Sequence, residues 1–245
     1  NPNLRDCNFP SKSLAGVGVA FYLMLALRTF LRDQGWFDER GIAIPNLAEL
    51  LDLVALGTVA DVVPLDANNR ILTWQGMSRI RAGKCRPGIK ALLEVANRDP
   101  QKLAASDLGF ALGPRLNAAG RLDDMSVGVA LLLCDNIGEA RVLANELDAL
   151  NQTRKEIEQG MQVEALTLCE KLERSRDTLP GGLAMYHPEW HQGVVGILAS
   201  RIKERFHRPV IAFAPAGDGT LKGSGRSIQG LHMRDALERL DTLYP

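Results

Sequence analysis

Asp61 is the acidic residue whose position in the sequence is hardest to explain by packing alone. It ends an apolar helical stretch and is followed by Val62, Val63 and Pro64. A carboxylate in apolar surroundings is costly unless it is paired, neutralised or bound to a metal ion. Asp61 is therefore a candidate metal ligand, although an exposed carboxylate at a helix end explains the same pattern. One aspartate cannot hold a metal ion by itself, so other ligands must come from elsewhere.

A second candidate is the glycine-rich segment 113–121, which carries Arg115, Asn117 and Arg121 among small residues. Arginine suits phosphate because its planar guanidinium group donates two parallel hydrogen bonds. Small residues let a ligand approach the backbone closely. The glycines and Pro114 predict an irregular loop, which either binds phosphate or leaves its arginines solvated.

A third candidate is the junction around His191, where a predicted strand ends and a helix begins near Gly193. A helix N-terminus offers backbone N–H groups to an anion, and histidine can bind a phosphate oxygen or transfer a proton. Arg201 lies about two turns further along the helix and is a candidate substrate-binding residue. A surface histidine and an ordinary exposed arginine account for the same residues.

The last candidate is the segment 222–227, in which glycines surround Ser224, Arg226 and Ser227. Such a sequence can form a backbone concavity that binds an anion. It does not match the phosphate-binding loop of nucleotide triphosphatases. Together, the candidates predict a phosphate-handling cleft between two domains.

The elements that must position these residues change along the chain. Apolar residues recur at helical spacing through most of the first 136 residues, beginning with a helix that Ser13 is expected to cap. One long helix, roughly 50 Å in length, is predicted from Ile137 to Glu173. Thereafter the pattern alternates between strands and helices. The predicted strands are 183–186, 210–213 and 221–228, and the predicted helix between the first two is 194–206.

The composition excludes some classes of protein and leaves others open. The chain has 29 Lys plus Arg and 29 Asp plus Glu, so its net charge is zero and any nucleic-acid site must be a local cluster. The four cysteines are widely spaced and form no C-x-x-C pair, which indicates reduced thiols and a cytoplasmic location. The longest apolar stretch is too short to span a bilayer, so no membrane partner is expected.

Four motifs, taken in order, resemble the RecJ family of the DHH phosphoesterase superfamily, and the likeness covers essentially the whole chain. They are LGTVADVVPL (56–65), RLNAAGR (115–121), HQGVVGI (191–197) and GSGRS (223–227). The resemblance implies an α/β protein with three parts. These are the mainly helical C-terminal part of a DHH catalytic domain (1–136), a long connecting helix (137–178) and the N-terminal part of a DHHA1 domain (179–245).

The resemblance also implies an activity and roles for individual residues. The activity is 5′-to-3′ exonuclease cleavage of single-stranded DNA with Mg²⁺ or Mn²⁺, in DNA repair and recombination. Asp61 matches a metal-ligating aspartate, and His191 matches a histidine that faces the metal ions. The remaining matches are the arginine-rich loop of Arg115, Asn117 and Arg121, and the pocket of Ser224 and Arg226 that holds the 5′ phosphate.

Parts of the family pattern are missing from this sequence. The Asp-His-His triplet would precede Asn1, and a Gly-Gly-His motif would follow Pro245. We therefore expect a fragment of a longer protein that is inactive alone. The resemblance further implies a single-stranded-DNA-binding protein and a RecQ-type helicase as partners. Two alternatives stay open: a DNA- or partner-binding module that does not cleave, and a phosphoesterase for short oligonucleotides.

Overall fold

The computed structural model describes residues 1–175, 179–217 and 219–243. The chain divides into two compact units. The first comprises residues 1–119 and 123–151, and the second comprises Gly120–Leu122 and the chain from Gln152 onward. The predicted α/β class is confirmed, since the residues within these ranges are mainly helical and form one small sheet. The predicted bounds of the three domains stay a prediction.

The first unit is built from α-helices and short helical turns. Its helices are α1 (Gly16–Asp33), α2 (Trp36–Glu39), α3 (Leu51–Ala60), α4 (Ala67–Arg81), α5 (Pro87–Val95), α6 (Ala105–Asp107), α7 (Gly113–Leu122, whose last three residues belong to the second unit) and α8 (Ser126–Leu133). Two 3₁₀ turns, Leu47–Leu50 and Pro100–Lys102, and a π-helical turn, Leu108–Leu112, connect them. Helix α9 (Ile137–Ser175) supplies residues to both units.

The start of α1 corrects one sequence prediction. Ser13 was expected to cap the helix, but α1 begins at Gly16, and its N-cap is Ala15, which makes no side-chain hydrogen bond. The backbone carbonyl of Ser13 instead accepts a hydrogen bond of 2.8 Å from the Asn69 side chain. A buried asparagine from another helix therefore holds this segment outside the helix.

Close helix packing holds α3, the helix that ends at Asp61. A Cβ atom on Gly76 of α4 would lie 2.0 Å from the carbonyl oxygen of Leu51 in α3. Only glycine permits this approach, because real Cβ atoms do not come so near to backbone oxygen. Buried leucine and isoleucine side chains, including Ile80 and Leu92, form the core around the pair.

The segment around Arg115 is helical, which corrects the predicted loop. Gly109 lies in the π-helical turn, Gly113 and Pro114 are the first two residues of α7, and Gly120 lies in the last turn of α7. Proline is tolerated there because a first-turn N–H group has no partner within the helix. The turn residues thus mark the start of a helix.

The second unit contains one three-stranded sheet. Strands β1 (Leu183–Tyr186) and β2 (Val210–Pro215) pair in parallel, and β3 (Leu221–Arg226) pairs antiparallel to β2. Helix α10 (Val195–Phe206) connects β1 to β2, and α11 (Met233–Leu243) follows β3. The predicted strands and helices are confirmed to within a few residues. Asp218, between β2 and β3, lies outside the described residues.

The core of the second unit lies between α9, α10 and the sheet. Buried residues of α9, such as Met161 and Ala165, join Leu198 of α10 and Val210 of β2 in one cluster. The packing fixes one face of α10 and leaves its first turn beside β3. Within residues 1–175, 179–217 and 219–243, no helix combines the length and apolar character needed to cross a membrane.

Candidate phosphate-binding site

Asp61 caps the C-terminal end of α3. Its backbone N–H donates to the Gly57 carbonyl at 3.0 Å, and the residue is exposed. A negative charge is unfavourable at this end of a helix dipole. The next residue, Val62, has φ +56° and is 84% exposed. A β-branched residue in the left-handed region costs on the order of 1–3 kcal/mol. Two locally unfavourable choices side by side are typical of a functional site.

The π-helical turn Leu108–Leu112 leads directly to the end of α3. A Cβ atom on Gly113, the first residue after the turn, would lie 3.3 Å from the Cβ of Ala60. Turns of this kind occur frequently at functional sites. The segment that carries Arg115 therefore starts beside the helix end that carries Asp61.

Arg115 is held by groups of the first unit. Its Nη1 donates to the Ala111 carbonyl at 2.7 Å, and its Nε lies 2.7 Å from Oδ1 of Asp148. The side chain is only 15% exposed. These contacts fix Arg115 across the first turn of α7. Asn117 is exposed on the same helix. Contact of either residue with a substrate stays a prediction.

His191 closes the junction between β1 and α10. The Gly193 N–H donates to its Nδ1 at 3.1 Å, and the Val194 N–H donates to its carbonyl oxygen at 3.0 Å. Because Nδ1 accepts a hydrogen bond, the neutral imidazole carries its proton on Nε2. Nε2–H is therefore available to donate to an oxyanion.

Gly193, within this junction, packs against the backbone of Arg121. A Cβ atom on Gly193 would lie 2.0 Å from the Arg121 carbonyl oxygen. In turn, Nη1 of Arg121 donates to the Gly193 carbonyl at 3.2 Å. Two separate stretches of backbone thus meet at a position where only glycine fits. In the second unit, the sequence-predicted residues Arg121 and His191 both form hydrogen bonds with Gly193.

Arg226, at the end of β3, lies beside the first turns of α10. Its Nε donates to the Ser200 hydroxyl at 3.0 Å, and its Nη1 donates to the Ser224 hydroxyl at 3.1 Å and to the Gly225 carbonyl at 2.8 Å. A Cβ atom on Gly196 would lie 3.0 Å from both Arg226 Nη2 and the Ser224 hydroxyl. We call Ser200, Ser224, Arg226 and Arg121 the Arg226 site. Gly196 leaves the space that the Arg226 guanidinium occupies.

The electrostatics link Arg121 to the rest of this site. Burial lowers the pKa of the Arg121 guanidinium, and the positive charges of Arg154 and Arg226 lower that pKa further. Glu158 acts in the opposite direction. Arginine nevertheless stays charged at neutral pH. Cationic groups partly withdrawn from water attract an anion more strongly than exposed ones.

A buried carboxylate accepts hydrogen bonds from two of the arginines in this unit. Glu158 of α9 is 9% exposed, and its two oxygens accept from Arg154 Nη1 at 2.7 Å and from Arg201 Nε at 3.2 Å. The Arg201 side chain is 54% exposed, whereas that of Arg154 is 12% exposed. Arg201, predicted as a substrate-binding residue, therefore has a protein partner. We call Arg121, Arg154, Arg201 and Arg226 the arginine cluster.

Ser227 points towards the turn that follows the sheet. Its hydroxyl donates to the Leu231 carbonyl at 2.5 Å. This hydrogen bond fixes the approach to α11. The predicted contact of Ser227 with a substrate stays a prediction.

Sequence reasoning missed Ser200 and Glu158. The spacing of Arg154 and Glu158, four residues apart on a predicted helix, is the signal that could have identified the ion pair. Ser200 carries no such signal, because it meets Arg226 only through the fold of α10 on β3.

Candidate metal ligands are not clustered in the described part of the chain. No three His, Cys, Asp or Glu side chains there are grouped so that they could hold a metal ion. Asp61 alone supplies too few oxygen ligands. The described residues therefore do not form a metal centre by themselves.

The sheet, α10 and all of the Arg226 site except Arg121 lie in a recognised type of domain. Residues 180–244 match the family of DHHA1 domains.

The whole chain is similar to part of a larger enzyme. It is 99% identical over 245 residues to the single-stranded-DNA-specific exonuclease RecJ of Escherichia coli strain K12, covering all of this chain and 42% of that protein. The RecJ of Bacillus subtilis strain 168 is 37% identical over 246 residues, and 29% of its length is covered. The chain thus spans less than half of the curated relatives that it matches.

Solved structures agree with the sequence comparison. RecJ of Thermus thermophilus in complex with Mg²⁺ superimposes with a TM-score of 0.75 at 34% identity, covering 96% of this chain and 34% of that chain. A structure of exonuclease RecJ bound to manganese gives a TM-score of 0.72 at 34% identity, covering 97% of this chain and 54% of that chain. The resemblance to RecJ that the four motifs indicated is confirmed.

Proposed function

We propose that this chain is part of a 5′-to-3′ single-stranded-DNA exonuclease, a metal-dependent phosphodiester hydrolase of DNA repair and recombination. Within that enzyme, this chain binds the 5′ phosphate of the DNA. The relatives described above are named as single-stranded-DNA-specific exonucleases. One observation carries the proposal: the Arg226 guanidinium is held by two hydroxyl groups beside the first turns of α10. A planar guanidinium fixed in this way is organised to bind phosphate before any ligand arrives.

The residues of the second unit have distinct parts in this proposal. Arg226 and Arg121 bind the terminal phosphate, and the Ser224 hydroxyl orients Arg226. His191 donates a hydrogen bond from Nε2 to a phosphate oxygen of the DNA backbone, since its Nδ1 accepts a hydrogen bond from the Gly193 N–H. Arg115, Asn117 and Ser227 stay as further predicted contacts with DNA.

Divalent metal ions complete the proposed chemistry. Solved RecJ structures contain Mg²⁺ or Mn²⁺. Asp61, exposed at the end of α3, fits one oxygen ligand of such an ion. The described residues group no three ligands, so ligands from outside them would complete the site. When bound, metal ions of this kind activate water and stabilise charge on phosphorus. We therefore expect the chain alone to show no metal-dependent cleavage above an Asp61→Ala control.

Binding of short oligonucleotides tests the proposal. We expect a 3′-labelled single-stranded oligonucleotide to bind this chain about tenfold more tightly with a 5′ phosphate than with a 5′ hydroxyl. The expected ratio corresponds to one charge-assisted interaction of about 1.5 kcal/mol. Arg226→Gln should remove the preference. Arg174→Gln is a matched control, because Arg174 is 83% exposed near the end of α9. Equal binding of both oligonucleotides by the unsubstituted chain would contradict the proposal.

Partners and location follow from the same proposal. Single-stranded DNA is the substrate, and a single-stranded-DNA-binding protein and a RecQ-type helicase are the proposed protein partners. A cytoplasmic location is consistent with Cys7, Cys85, Cys134 and Cys169, all of which are free thiols.

A further inference from the structure

Glu158 is an unexpected residue beside the arginine cluster, two of whose members, Arg226 and Arg121, are proposed to bind phosphate. It is 9% exposed and lies among arginines, where its negative charge opposes the attraction of an anion. A buried carboxylate persists only if its hydrogen bonds and ion pairs offset the cost of removing it from water. Glu158 has both, at 2.7 Å from Arg154 and 3.2 Å from Arg201.

The two partners of Glu158 differ from the arginines of the Arg226 site. Arg226 is oriented by hydroxyl and carbonyl oxygens and keeps its full charge for a ligand. Arg154 and Arg201 instead have their charges offset by a carboxylate. Glu158 also acts on the charge of Arg121, but Arg121 Nη1 donates to the Gly193 carbonyl. The four arginines of the cluster therefore separate into Arg226 and Arg121, whose guanidinium groups donate to uncharged oxygens, and Arg154 and Arg201, which form ion pairs with Glu158.

The difference between the two pairs of arginines affects which phosphate of DNA the cluster binds. Internal phosphodiesters of DNA carry one negative charge, and a terminal phosphate carries close to two at neutral pH. A cluster of four unopposed arginines would bind any stretch of the backbone, since such binding depends on the number of neutralised phosphates. Fewer and better-oriented arginines favour the terminal group.

We propose that Glu158 is a specificity-determining positioning residue, which restrains Arg154 and Arg201 so that the Arg226 site selects a 5′-terminal phosphate over internal phosphodiesters. The inference rests on the proposed function of that site. Arg201 is central, because its half-exposed side chain is held at 3.2 Å by Glu158 and more loosely, at 4.0 Å, by the exposed Glu204. Loss of the Glu158 carboxylate leaves the longer ion pair, from which the guanidinium can turn towards bound DNA.

The test replaces Glu158 with glutamine and measures DNA binding across a range of salt concentrations. Glu158→Gln should bind an oligonucleotide with a 5′ hydroxyl more tightly than the unsubstituted chain does. The slope of log K against log salt should steepen by about 0.7 for each arginine that gains a phosphate. The preference for a 5′ phosphate should fall several-fold. A purely structural role would lower both affinities together and leave the slope unchanged, which would overturn the proposal.

Two further variants make the result specific. Glu164→Gln removes the same charge from the same helix, but Glu164 accepts a hydrogen bond from Trp190 at 2.8 Å rather than from an arginine. It should leave the salt slope unchanged. In the double variant Glu158→Gln/Arg201→Gln, the slope should return towards that of the unsubstituted chain. A slope that stays steep would show that Arg201 is not the released group.

If thermal unfolding shows that Glu158→Gln does not fold, the variant Arg201→Gln provides a separate test. Arg201→Gln alone should leave the affinity for the 5′-hydroxyl oligonucleotide unchanged, because Glu158 restrains Arg201 in the unsubstituted chain. A clear loss of affinity would mean that Arg201 binds DNA directly and would overturn the inference. If the unsubstituted chain shows no 5′-phosphate preference, the proposed function fails; if the preference exists but Glu158→Gln leaves it intact, only this inference fails.

Discussion

Replacing Gly196 with alanine should weaken phosphate binding without unfolding the protein. The added Cβ atom would lie 3.0 Å from Arg226 Nη2 and from the Ser224 hydroxyl, closer than an ordinary contact. Both neighbours are ends of side chains, so they can shift by a few tenths of an ångström. Because a directional hydrogen bond weakens with such a displacement, we expect a loss of about 1.5 kcal/mol, or about tenfold in Kd, for a 5′-phosphorylated oligonucleotide.

Fluorescence anisotropy with 5′-phosphate and 5′-hydroxyl oligonucleotides measures this effect, and thermal unfolding measures stability. Helical alanine is favoured over glycine by about 0.5–1 kcal/mol, so the melting temperature should not fall. Gly160→Ala is the control, because nothing lies within 4 Å of a Cβ atom at that position of α9. It should leave both affinities unchanged. An unaltered 5′-phosphate preference in Gly196→Ala would refute the placement of the ligand beside Arg226.

Three other predictions concern stability and are checked by chemical or thermal unfolding. Gly193→Ala should lower the free energy of unfolding by about 1–3 kcal/mol, because its Cβ atom would lie 2.0 Å from the Arg121 carbonyl oxygen; a melting temperature equal to that of the unsubstituted chain would contradict this. A hydrogen bond from the Asn69 backbone N–H lowers the pKa of Asp66, the N-cap of α4, below its ordinary 3.8. Asp66→Ala should therefore cost about 1 kcal/mol at neutral pH, and the difference should shrink as acid protonates the folded carboxylate; a difference that grows in acid would be inconsistent. Val62→Gly should raise stability by about 1 kcal/mol, since glycine adopts φ +56° without strain; destabilisation would show that the Val62 side chain has a packing role.

Local sequence patterns predicted most of the elements. The long helix α9 and the strands of the second unit follow from periodicity that short stretches of sequence carry. The error around Arg115 has a local cause too, because a proline such as Pro114 is favoured in the first turn of a helix although it interrupts a helix elsewhere. The cap of α1 differs in kind, since Ser13 is held by Asn69, 56 residues away. No local pattern contains such a contact.

The candidate site was predictable only in part, for the same reason. Arg226 and His191 stand in recognisable motifs, so their residue types indicated phosphate chemistry. Ser200 and Glu158 belong to ordinary helical sequence and acquire their roles only when α10, α9 and β3 pack together. The free-energy cost of burying Glu158 depends on the folded unit and cannot be read from the amino-acid composition.

The claim that Arg226 and Arg121 hold a terminal phosphate is tested most directly by NMR of the arginine Nε–H groups. The chain would be titrated with a 5′-phosphorylated dinucleotide and, separately, with the same dinucleotide lacking the phosphate. We predict saturable shifts of the Arg226 and Arg121 signals with the first ligand, much weaker shifts with the second, and an unmoved Arg174 signal. Equal responses to both ligands, or shifts confined to other arginines, would contradict the account.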